Sequence, residues 1–552
     1  MTSIKQFFNR FPLFHIFHMK SLWLSMVIAF YFASCLNLGL WRYVFTRMDF
    51  SWGFNAYLVC ITLPIFLFLL LFLIINLVLL PYFGKLFFIP LIIISSIANY
   101  AMFNLGITID ADMIQNVIET TPRETLELVT FKAILWILFT GLVPATLLAI
   151  TQIDYLPLKQ EFFLRLKFFV GGLILLLITT FAGIRQYYFF RHDNRAISSL
   201  ANPFNIYRAI QRNLRRQTLI DQDLIRLDPN AKRISAKSDK PSVFILLVGE
   251  TARGDHFSLN GYNRETNAEL AKEDVISFKN VFSCATSTSI SVPCMFSAQG
   301  RKSFSIKSAP FTENFLDLLK QTGYDVLWLD NDEGCKGVCK RITTEQLDQS
   351  KDKRFCSNGT CFDEILLDGL EKRLANIKRD TFIVMHTIGS HGPAYYLRYP
   401  DSQKKFKPTC DSSDVHGCDP DALRNSYDNT IHYTNVVVAK AINILKKFPQ
   451  LNPGLIYLSD HGESLGENGI FLHAYNYSIA PDGQKHVPFI LWMSDGMKKQ
   501  GNYNYHCLAQ KAESEDFSHD NLYHTILAMM GIESKTYDKS LDMFASCRQD
   551  NI

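Results

Sequence analysis

Five long apolar stretches in the first 190 residues constrain the fold of this chain more than any other feature. Each is long enough to cross a bilayer as a helix, which takes about 20 mostly nonpolar residues. The first has no small-residue cleavage site and is followed by further apolar stretches, so we do not expect a cleaved signal peptide. The five stretches lie at 21–41, 56–83, 86–107, 131–150 and 168–184 of the 552 residues.

Basic residues near these stretches predict the orientation of the membrane domain. Cytoplasmic segments are enriched in Lys and Arg, and an odd number of spans puts the two chain ends on opposite sides. We therefore expect a cytoplasmic N-terminus and a C-terminal domain outside the cytoplasm. The segments assigned to the cytoplasm carry Lys5, Arg10, Lys20, Lys85, Lys159, Arg165 and Lys167, whereas the opposite loops carry Arg42, Arg47 and Arg123.

The chain after residue 240 has the pattern of a soluble α/β domain. Short apolar runs alternate with helical patterns, which indicates a largely parallel sheet. We expect a membrane domain at 1–190, a basic linker at 191–240 and a soluble domain at 241–552. Buried strands are predicted at 242–249, 326–329, 381–386, 454–459 and 488–493, and helices at 311–321 and 422–448.

The linker contains an amphipathic pattern after Asn202 and Pro203. Such a helix either lies on an anionic membrane surface or is a solvated connector, and the sequence favours neither. Its apolar side would hold Phe204, Tyr207, Ile210 and Leu214, and its basic side Arg208, Arg212, Arg215 and Arg216.

The cysteines indicate an oxidising compartment for the soluble domain. Two of the twelve, Cys35 and Cys60, lie in apolar stretches, and the other ten follow residue 240. An even number at short spacings is typical of disulfides, and no C-x-x-C pair suggests a zinc site. Many pairings remain open, of which sequential order is the simplest hypothesis. It would join Cys284 to Cys294, Cys335 to Cys339, Cys356 to Cys361, Cys410 to Cys418 and Cys507 to Cys547.

Polar residues at the ends of two predicted strands suggest a metal site. Glu250 ends the first strand of the domain, and Asp460 and His461 end another. Carboxyl ends of parallel strands meet at one edge of a sheet, so these side chains are expected to lie close together. Two carboxylates and one imidazole are suitable ligands for zinc or manganese.

A hydroxyl-rich loop between Cys284 and Cys294 is the candidate source of a nucleophile. Such loops are commonly only helix caps, although bracketing cysteines would fix the geometry of this one. A threonine hydroxyl is a weak nucleophile unless a metal lowers its pKa. His391, His473 and Lys336 occur in loop-like contexts, where such side chains are more often structural or solvent-exposed.

Long motifs make the chain resemble the lipid A phosphoethanolamine transferases, which include the mobile colistin-resistance enzymes. These belong to the alkaline phosphatase and sulfatase superfamily, so the resemblance implies that fold for the soluble domain. The motifs are Val-Gly-Glu-Thr-Ala-Arg, Leu-Asn-Gly-Tyr-x-Arg-Glu-Thr-Asn, Ser-Val-Pro-Cys-Met-Phe, Gly-Ser-His-Gly-Pro and Ser-Asp-His-Gly-Glu-Ser-Leu-Gly-Glu-Asn-Gly.

The resemblance implies roles for particular residues. Thr288 matches the nucleophile, and Glu250, Asp460 and His461 match zinc ligands that Thr288 completes. Of the sequential disulfides, the first four are similar to the family's pattern. One position departs from it, since Ala474 follows His473 where related sequences commonly have glycine. Positions near the transferred group or the substrate are matched by His391, His473, Lys336 and Glu463.

The resemblance also implies a lipid contact on the loop after the third span. Asn116, Thr120 and Glu124 match its polar trio, and their spacing would place them on one helical face. The other interpretation is a capping box at Thr121–Glu124 with Pro122 at the first helical position.

The reaction implied is transfer of phosphoethanolamine from phosphatidylethanolamine to a phosphate of lipid A, with loss of negative surface charge and polymyxin resistance. One tight zinc is implied, with a second during turnover left open, and a monomer is expected in the inner membrane. A net charge of +4 gives no argument for a nucleic-acid partner. The alternatives are a glycerophosphate polymerase, another hydrolase of the superfamily such as a sulfatase, and a non-catalytic membrane scaffold.

Overall fold

The computed structural model divides the chain into two compact units. One comprises Met1–Ile114 and Val129–Arg212, and the other Gln115–Leu128 and Asn213–Ile552. The segment between the third and fourth apolar stretches is therefore grouped with the C-terminal domain. The expected domain boundaries at 190 and 240 stay predictions. The structure describes residues 17–48, 54–107, 109–119, 125, 127–193, 197, 199–217, 223–234, 239–332, 334–348, 350, 352–357 and 360–548.

The first unit is built from long apolar helices. Within the described residues, five helical spans are long and apolar enough to cross a membrane: Ser21–Thr46, Ala56–Val78, Phe83–Leu105, Phe131–Ile150 and Leu158–Ile184. The described α-helices of residues 17–217, of which α5 and α9 lie outside the five spans, are α1 (Ser21–Ala33), α2 (Leu38–Arg47), α3 (Phe54–Val78), α4 (Phe83–Tyr100), α5 (Ala111–Glu119), α6 (Phe131–Ile137), α7 (Val143–Ile150), α8 (Leu158–Asp193) and α9 (Phe204–Gln217). Short strands Phe17–Lys20 and Thr151–Asp154 pair in parallel.

The fifth span begins ten residues before the predicted start, because its basic residues are accommodated inside the helix. Lys159, Arg165 and Lys167 lie in α8 and not in a loop. Arg165 pairs with Glu161 one turn earlier at 2.7 Å. Its guanidinium also donates to backbone carbonyls at the end of α3, at 2.5 Å and 2.8 Å. These carbonyls have no helical partner, so the arginine caps that helix end.

The second unit contains a seven-stranded sheet. Its strands are β1 (Ser242–Gly249), β2 (Val275–Phe278), β3 (Asp325–Asp330), β4 (Thr343–Gln346), β5 (Thr381–His386), β6 (Asn452–Ser459) and β7 (Phe489–Met493). They lie in the order β2-β7-β6-β1-β5-β3-β4. Strand β7 is antiparallel to both neighbours, and the other four pairings, among β1, β3, β4, β5 and β6, are parallel. The predicted, largely parallel sheet is confirmed.

The central strands are continuous apolar runs because both faces of the sheet are covered. Every residue of β1, β5 and β6 is buried. Alternate side chains of β1 enter two separate hydrophobic clusters, with Phe244 in one and Ile245 in the other. The covering helices are α10 (Thr288–Met295), α11 (Phe315–Gln321), α12 (Leu370–Ala375), α13 (Pro420–Lys446), α14 (Asp495–Gln500), α15 (Tyr505–Ser514) and α16 (Leu522–Met529).

The ten cysteines of this unit form five disulfides in sequential order. Their Cα–Cα separations run from 4.0 Å for Cys356–Cys361 to 6.2 Å for Cys284–Cys294. The other three pairs are Cys335–Cys339, Cys410–Cys418 and Cys507–Cys547. Among the described residues, Cys35 and Cys60 have free thiols. Four of the bonds join cysteines at most 10 positions apart and so fix short loops, whereas Cys507–Cys547 spans 40 positions.

Candidate active site

Thr288 lies at the first position of α10, facing the ends of β1 and β6. Its hydroxyl donates to Glu250, with Oε1 at 3.2 Å and Oε2 at 3.1 Å. The Nε2 atom of His461 lies 3.3 Å from the same oxygen. The helix cap is Ser287, whose side chain makes no capping hydrogen bond. The hydroxyl of Thr288 is therefore directed at acidic and imidazole groups, and not at the backbone of its own helix.

Three ligand-type side chains converge beside Thr288. One oxygen each of Glu250 and Asp460 and one nitrogen of His461 lie within 4.8 Å of one another, and all three residues are buried. The Nδ1 of His461 is 2.9 Å from the carbonyl of Gly462. An N–H at Nδ1 donates to that carbonyl, which leaves the lone pair of Nε2 facing the carboxylates. A hydrogen-bonded histidine of this kind is typical of metal sites.

The carboxylates need a cation if both are to be charged. Burial raises the pKa of Glu250 well above its usual value, and the nearby charges of Asp460 and Asp332 raise it further. The Oδ2 atom of Asp460 is fully buried and accepts no hydrogen bond from the described residues. A divalent ion beside these groups would remove the repulsion and satisfy that oxygen. The residues present therefore fit a metal site.

Backbone contacts hold the two strand ends together. The amide of Thr251 donates to Asp460 Oδ1 at 3.2 Å, and the amide of Ala252 donates to Ser459 Oγ at 2.9 Å. Gly462 packs so closely on a neighbouring loop that a Cβ would lie 2.0 Å from the carbonyl oxygen of Gly483. This close backbone approach is the reason for a glycine at this position.

Arg253 explains the last position of the first motif. Its Nη1 donates to the backbone carbonyl of Glu463 at 3.2 Å and pairs with Glu467. Its Nε and Nη2 bind Asp255 at 2.9 Å and 2.7 Å. The guanidinium thereby ties the loop after β1 to the loop after β6, behind the ligand residues.

Two further histidines line the side of the site next to His461. The ring centroid of His473 lies 4.6 Å from that of His461 and 5.5 Å from that of His391. Burial lowers the pKa of His391 well below its usual value, and nearby charges including Lys336 lower it further. His391 is therefore a neutral imidazole.

The pKa of His473 is shifted in the opposite direction. Its Nδ1 is 3.4 Å from Oε2 of the buried Glu463. Burial lowers the pKa of His473, but the Glu463 carboxylate outweighs burial and the net shift is upward. The site thus places one neutral and one readily protonated imidazole side by side. The structure brings together Thr288, Glu250, Asp460, His461, His391, His473 and Glu463, with Lys336 close enough to shift the pKa of His391.

Ala474, which stands where related sequences commonly have glycine, adopts a left-handed backbone conformation. Ala474 has a φ of 66°, and Leu472 on the other side of His473 has a φ of 63°. This left-handed region favours glycine and disfavours residues with a Cβ. The loop keeps its course because the amide of Ala474 donates to the carbonyl of Thr286 at 2.6 Å. His473 therefore still reaches Glu463, at the cost of backbone strain.

Sequence reasoning missed His519, which positions the nucleophile loop. It is 1% exposed, its Nδ1 accepts from the amide of Cys284 at 3.1 Å, and its Nε2 donates to the carbonyl of Ser459 at 3.0 Å. Burial lowers its pKa to about 4, so both contacts are made by a neutral ring. Ser291 adds a hydrogen bond to the carbonyl of Asp460. None of the motifs contains His519, whose partners Cys284 and Ser459 are distant from it in sequence.

A second acidic group lies behind Glu250. Ligand-type atoms of Glu250, Asp332 and His386 also lie within 4.8 Å of one another. The ring of His386 lies 3.3 Å from Asp330 through Nδ1 and 3.6 Å from Asp332 through Nε2. Burial lowers the pKa of His386, but these carboxylates raise it to about 9. The imidazolium supplies the positive charge here, so this group does not require a metal.

Of the expected lipid-contact trio, the structure describes Asn116. Its Oδ1 accepts a hydrogen bond from Ser289, the residue after Thr288. Thr120 and Glu124, together with the proposed capping box, lie outside the described residues. The role of all three in lipid binding stays a prediction.

Comparison with known proteins gives the family. Residues 67–218 match the family described as phosphoethanolamine transferase EptA/EptB, and residues 242–532 match the sulfatase family. Phosphoethanolamine transferase EptA of Salmonella typhimurium is 38% identical over 531 residues, which cover 96% of this chain and 97% of that protein. The chain belongs to the phosphoethanolamine transferase family.

Solved structures agree with this family. Lipooligosaccharide phosphoethanolamine transferase A of Neisseria meningitidis, an integral membrane protein, superposes with a TM-score of 0.93 at 33% identity. The match covers 97% of this chain and all of that one. Phosphatidylethanolamine transferase Mcr-1 of Escherichia coli is 32% identical over 83% of this chain and 85% of its own length. This phosphoethanolamine transferase is therefore an inner-membrane enzyme whose catalytic domain is periplasmic.

Proposed function

We propose that this transferase moves phosphoethanolamine from phosphatidylethanolamine to a phosphate group of lipid A through a covalent intermediate on Thr288. The observation that carries the proposal is the convergence of Glu250, Asp460 and His461 on the Thr288 hydroxyl. Relatives named Kdo(2)-lipid A phosphoethanolamine 7''-transferase, about 30% identical over half of the chain, support lipid A as the acceptor.

Glu250, Asp460, His461 and Thr288 would hold one zinc ion. Oxygen and imidazole ligands in a closed, buried group suit zinc, which prefers four ligands of this kind. When bound, zinc lowers the pKa of a hydroxyl beside it and stabilises negative charge on phosphoryl oxygens. The protein itself orients the nucleophile, because the hydrogen bond to Glu250 fixes the position of the Thr288 oxygen.

In the first step the Thr288 oxygen attacks the phosphorus of phosphatidylethanolamine. The Thr288 hydroxyl gives up its proton and a Thr288–phosphorus ester forms. The bond from phosphorus to the glycerol oxygen breaks, and the released diacylglycerol takes up one proton, so the proton count is unchanged. The pKa of His473 is raised, so its protonated ring can donate to a phosphoryl oxygen. The neutral His391 lies beside it, and Lys336, which lowers the pKa of His391, would add positive charge near the transferred group.

In the second step a phosphate oxygen of lipid A attacks the same phosphorus. The ester to Thr288 breaks and the hydroxyl is regenerated with one proton. The product carries an ethanolamine ammonium group where lipid A had only negative charge. Weaker attraction of cationic peptides follows, which is the basis of the polymyxin resistance that we propose. We also propose that the N-terminus is cytoplasmic and the enzyme monomeric.

Mass spectrometry of the full-length enzyme tests the intermediate. Incubation with phosphatidylethanolamine alone should add the mass of phosphoethanolamine to the peptide that contains Thr288. The control is Ser289→Ala, which removes the neighbouring hydroxyl and should leave the adduct in place. Thr288→Ala should form no adduct and leave lipid A unmodified. If the Thr288→Ala enzyme still modifies lipid A at the normal rate, the nucleophile is another group.

A further inference from the structure

The segment between the third and fourth spans, Gln115–Leu128, is part of the second unit, which also contains the candidate active site. Two side chains on its described residues contact that unit next to active-site residues. Asn116 accepts from Ser289, which follows Thr288. Glu127 forms an ion pair with Arg398, which lies seven residues after His391. The segment therefore contacts both the loop that carries Thr288 and the loop that follows His391.

Arg398 divides its guanidinium between Glu127 and the loop that carries His391. Its Nη2 binds Glu127, and its Nε donates to the backbone carbonyl of His391 at 2.8 Å. Its Nη1 lies 3.4 Å from the hydroxyl of Thr360. The planar guanidinium has a fixed angle between these donors, so moving one partner moves the other. A shift of Glu127 would thus be transmitted to the backbone of His391.

The burial of this pair makes the contact more than a surface salt bridge. The Arg398 side chain is 1% exposed and that of Glu127 is 11% exposed. A surface ion pair contributes little, whereas a buried charge that loses its partner disturbs its surroundings strongly. Glu127 supplies the negative charge that Arg398 needs in order to stay in place below His391.

We infer that Glu127 is a positioning residue, which acts through Arg398 to fix the His391 loop against the Thr288 phosphoryl site. The inference rests on the proposed function, because it assigns His391 to the transferred group. It also gives the segment between two membrane spans a positioning role in the reaction, exerted through Arg398. A mere lipid anchor in this segment would alter the binding of the lipid donor and leave the reaction of bound substrate unchanged.

The experiment compares Glu127→Gln with wild-type full-length enzyme on two donors. One is phosphatidylethanolamine in mixed micelles, and the other is a small soluble p-nitrophenyl phosphodiester. We expect kcat to fall about tenfold to a hundredfold on both donors, as small misplacements of catalytic groups do. Glu127→Asp should recover part of this loss because it retains the charge. The control is Glu269→Gln, which breaks an exposed ion pair with Lys272 and should leave kcat unchanged.

Hydrogen exchange gives a second measurement that needs no turnover. Amides in residues 388–398 should exchange faster in Glu127→Gln than in wild type, and no faster in Glu269→Gln. This readout tests the contact even if Thr288 is not the nucleophile, so it separates this inference from the proposed function. Unchanged exchange in 388–398, or a change in KM for the lipid donor alone, would overturn the inference. Faster exchange with normal kcat on both donors would also overturn it, since the loop would then move without effect on the reaction.

Discussion

Replacing Ala474 by glycine should stabilise the enzyme. The φ of 66° at Ala474 lies where a Cβ crowds the backbone. The residue cannot relax to negative φ without breaking the 2.6 Å hydrogen bond from its amide to Thr286. That bond connects the loop of His473 to the loop of Thr288, so the strain is retained at the active site.

The net effect follows from two opposing contributions. The left-handed conformation costs an L-residue about 1–2 kcal/mol, and glycine removes this cost. Glycine also loses more backbone entropy on folding, about 0.5–1 kcal/mol relative to alanine. The free energy of unfolding should therefore rise by about 0.5–1 kcal/mol. For a domain of this size that is an increase in Tm of roughly 1–3 °C.

Thermal unfolding in detergent, followed by intrinsic fluorescence, measures the shift. The matched control is Ala480→Gly, a substitution at a buried alanine without positive φ in the same loop region. It removes a buried methyl group and adds backbone entropy, so it should lower stability by about 1 kcal/mol. Transfer to lipid A should stay near the wild-type rate in Ala474→Gly, because His473 already reaches Glu463. A loss of stability in Ala474→Gly as large as in Ala480→Gly would refute the strain argument.

Four other outcomes are expected. Replacing both Cys284 and Cys294 by serine should lower the free energy of unfolding by at most ~3 kcal/mol, seen in thermal unfolding, and should lower kcat more strongly because the nucleophile loop loosens. Asp460→Asn should reduce the zinc content measured by plasma mass spectrometry from one ion per chain to none. The protonated His386, whose pKa is about 9 in the fold and 6.5 in the unfolded chain, stabilises the fold fully below pH 6.5. This stabilisation is lost as the pH rises through 9, and the free energy of unfolding measured against pH will show the loss. A fragment that begins near Lys240 should bind zinc and cleave a soluble phosphodiester slowly, yet modify embedded lipid A far less than the full chain.

The sheet was largely predictable because its central strands are unbroken apolar runs. The predicted bounds of 242–249 and 381–386 are those of β1 and β5. The edge strands β2 and β4 escaped prediction because they are four residues long, and β4 consists of polar residues alone. Helix α11 begins at Phe315, four residues later than predicted, because Asn314 and Asp317 form a capping box there. Edges and caps thus depend on local partners that an apolar pattern does not contain.

The site was predictable where its residues follow buried strands within long motifs. Glu250 and Asp460 come directly after β1 and β6, whose parallel pairing in register brings them together. His519 and His386 have no such signal, since they act through partners 60 or 56 residues away, such as Ser459 and Asp330. A lone histidine in a sequence does not reveal whether its partners are charged, and this decides whether its ring is neutral or cationic.

The contacts of the segment between the third and fourth spans could not be predicted from the sequence either. Its sequence position suggests a membrane loop, and only the fold reveals that Asn116 meets Ser289 and Glu127 meets Arg398. Arg398 belongs to the soluble domain, yet its counter-charge comes from a residue 271 positions earlier. A catalytic fragment alone would therefore lack the Glu127 carboxylate that binds Arg398, next to the carbonyl of His391. Weak activity of such a fragment would then reflect an altered site as well as the loss of a membrane anchor, and Glu127→Gln in the full chain separates these two causes.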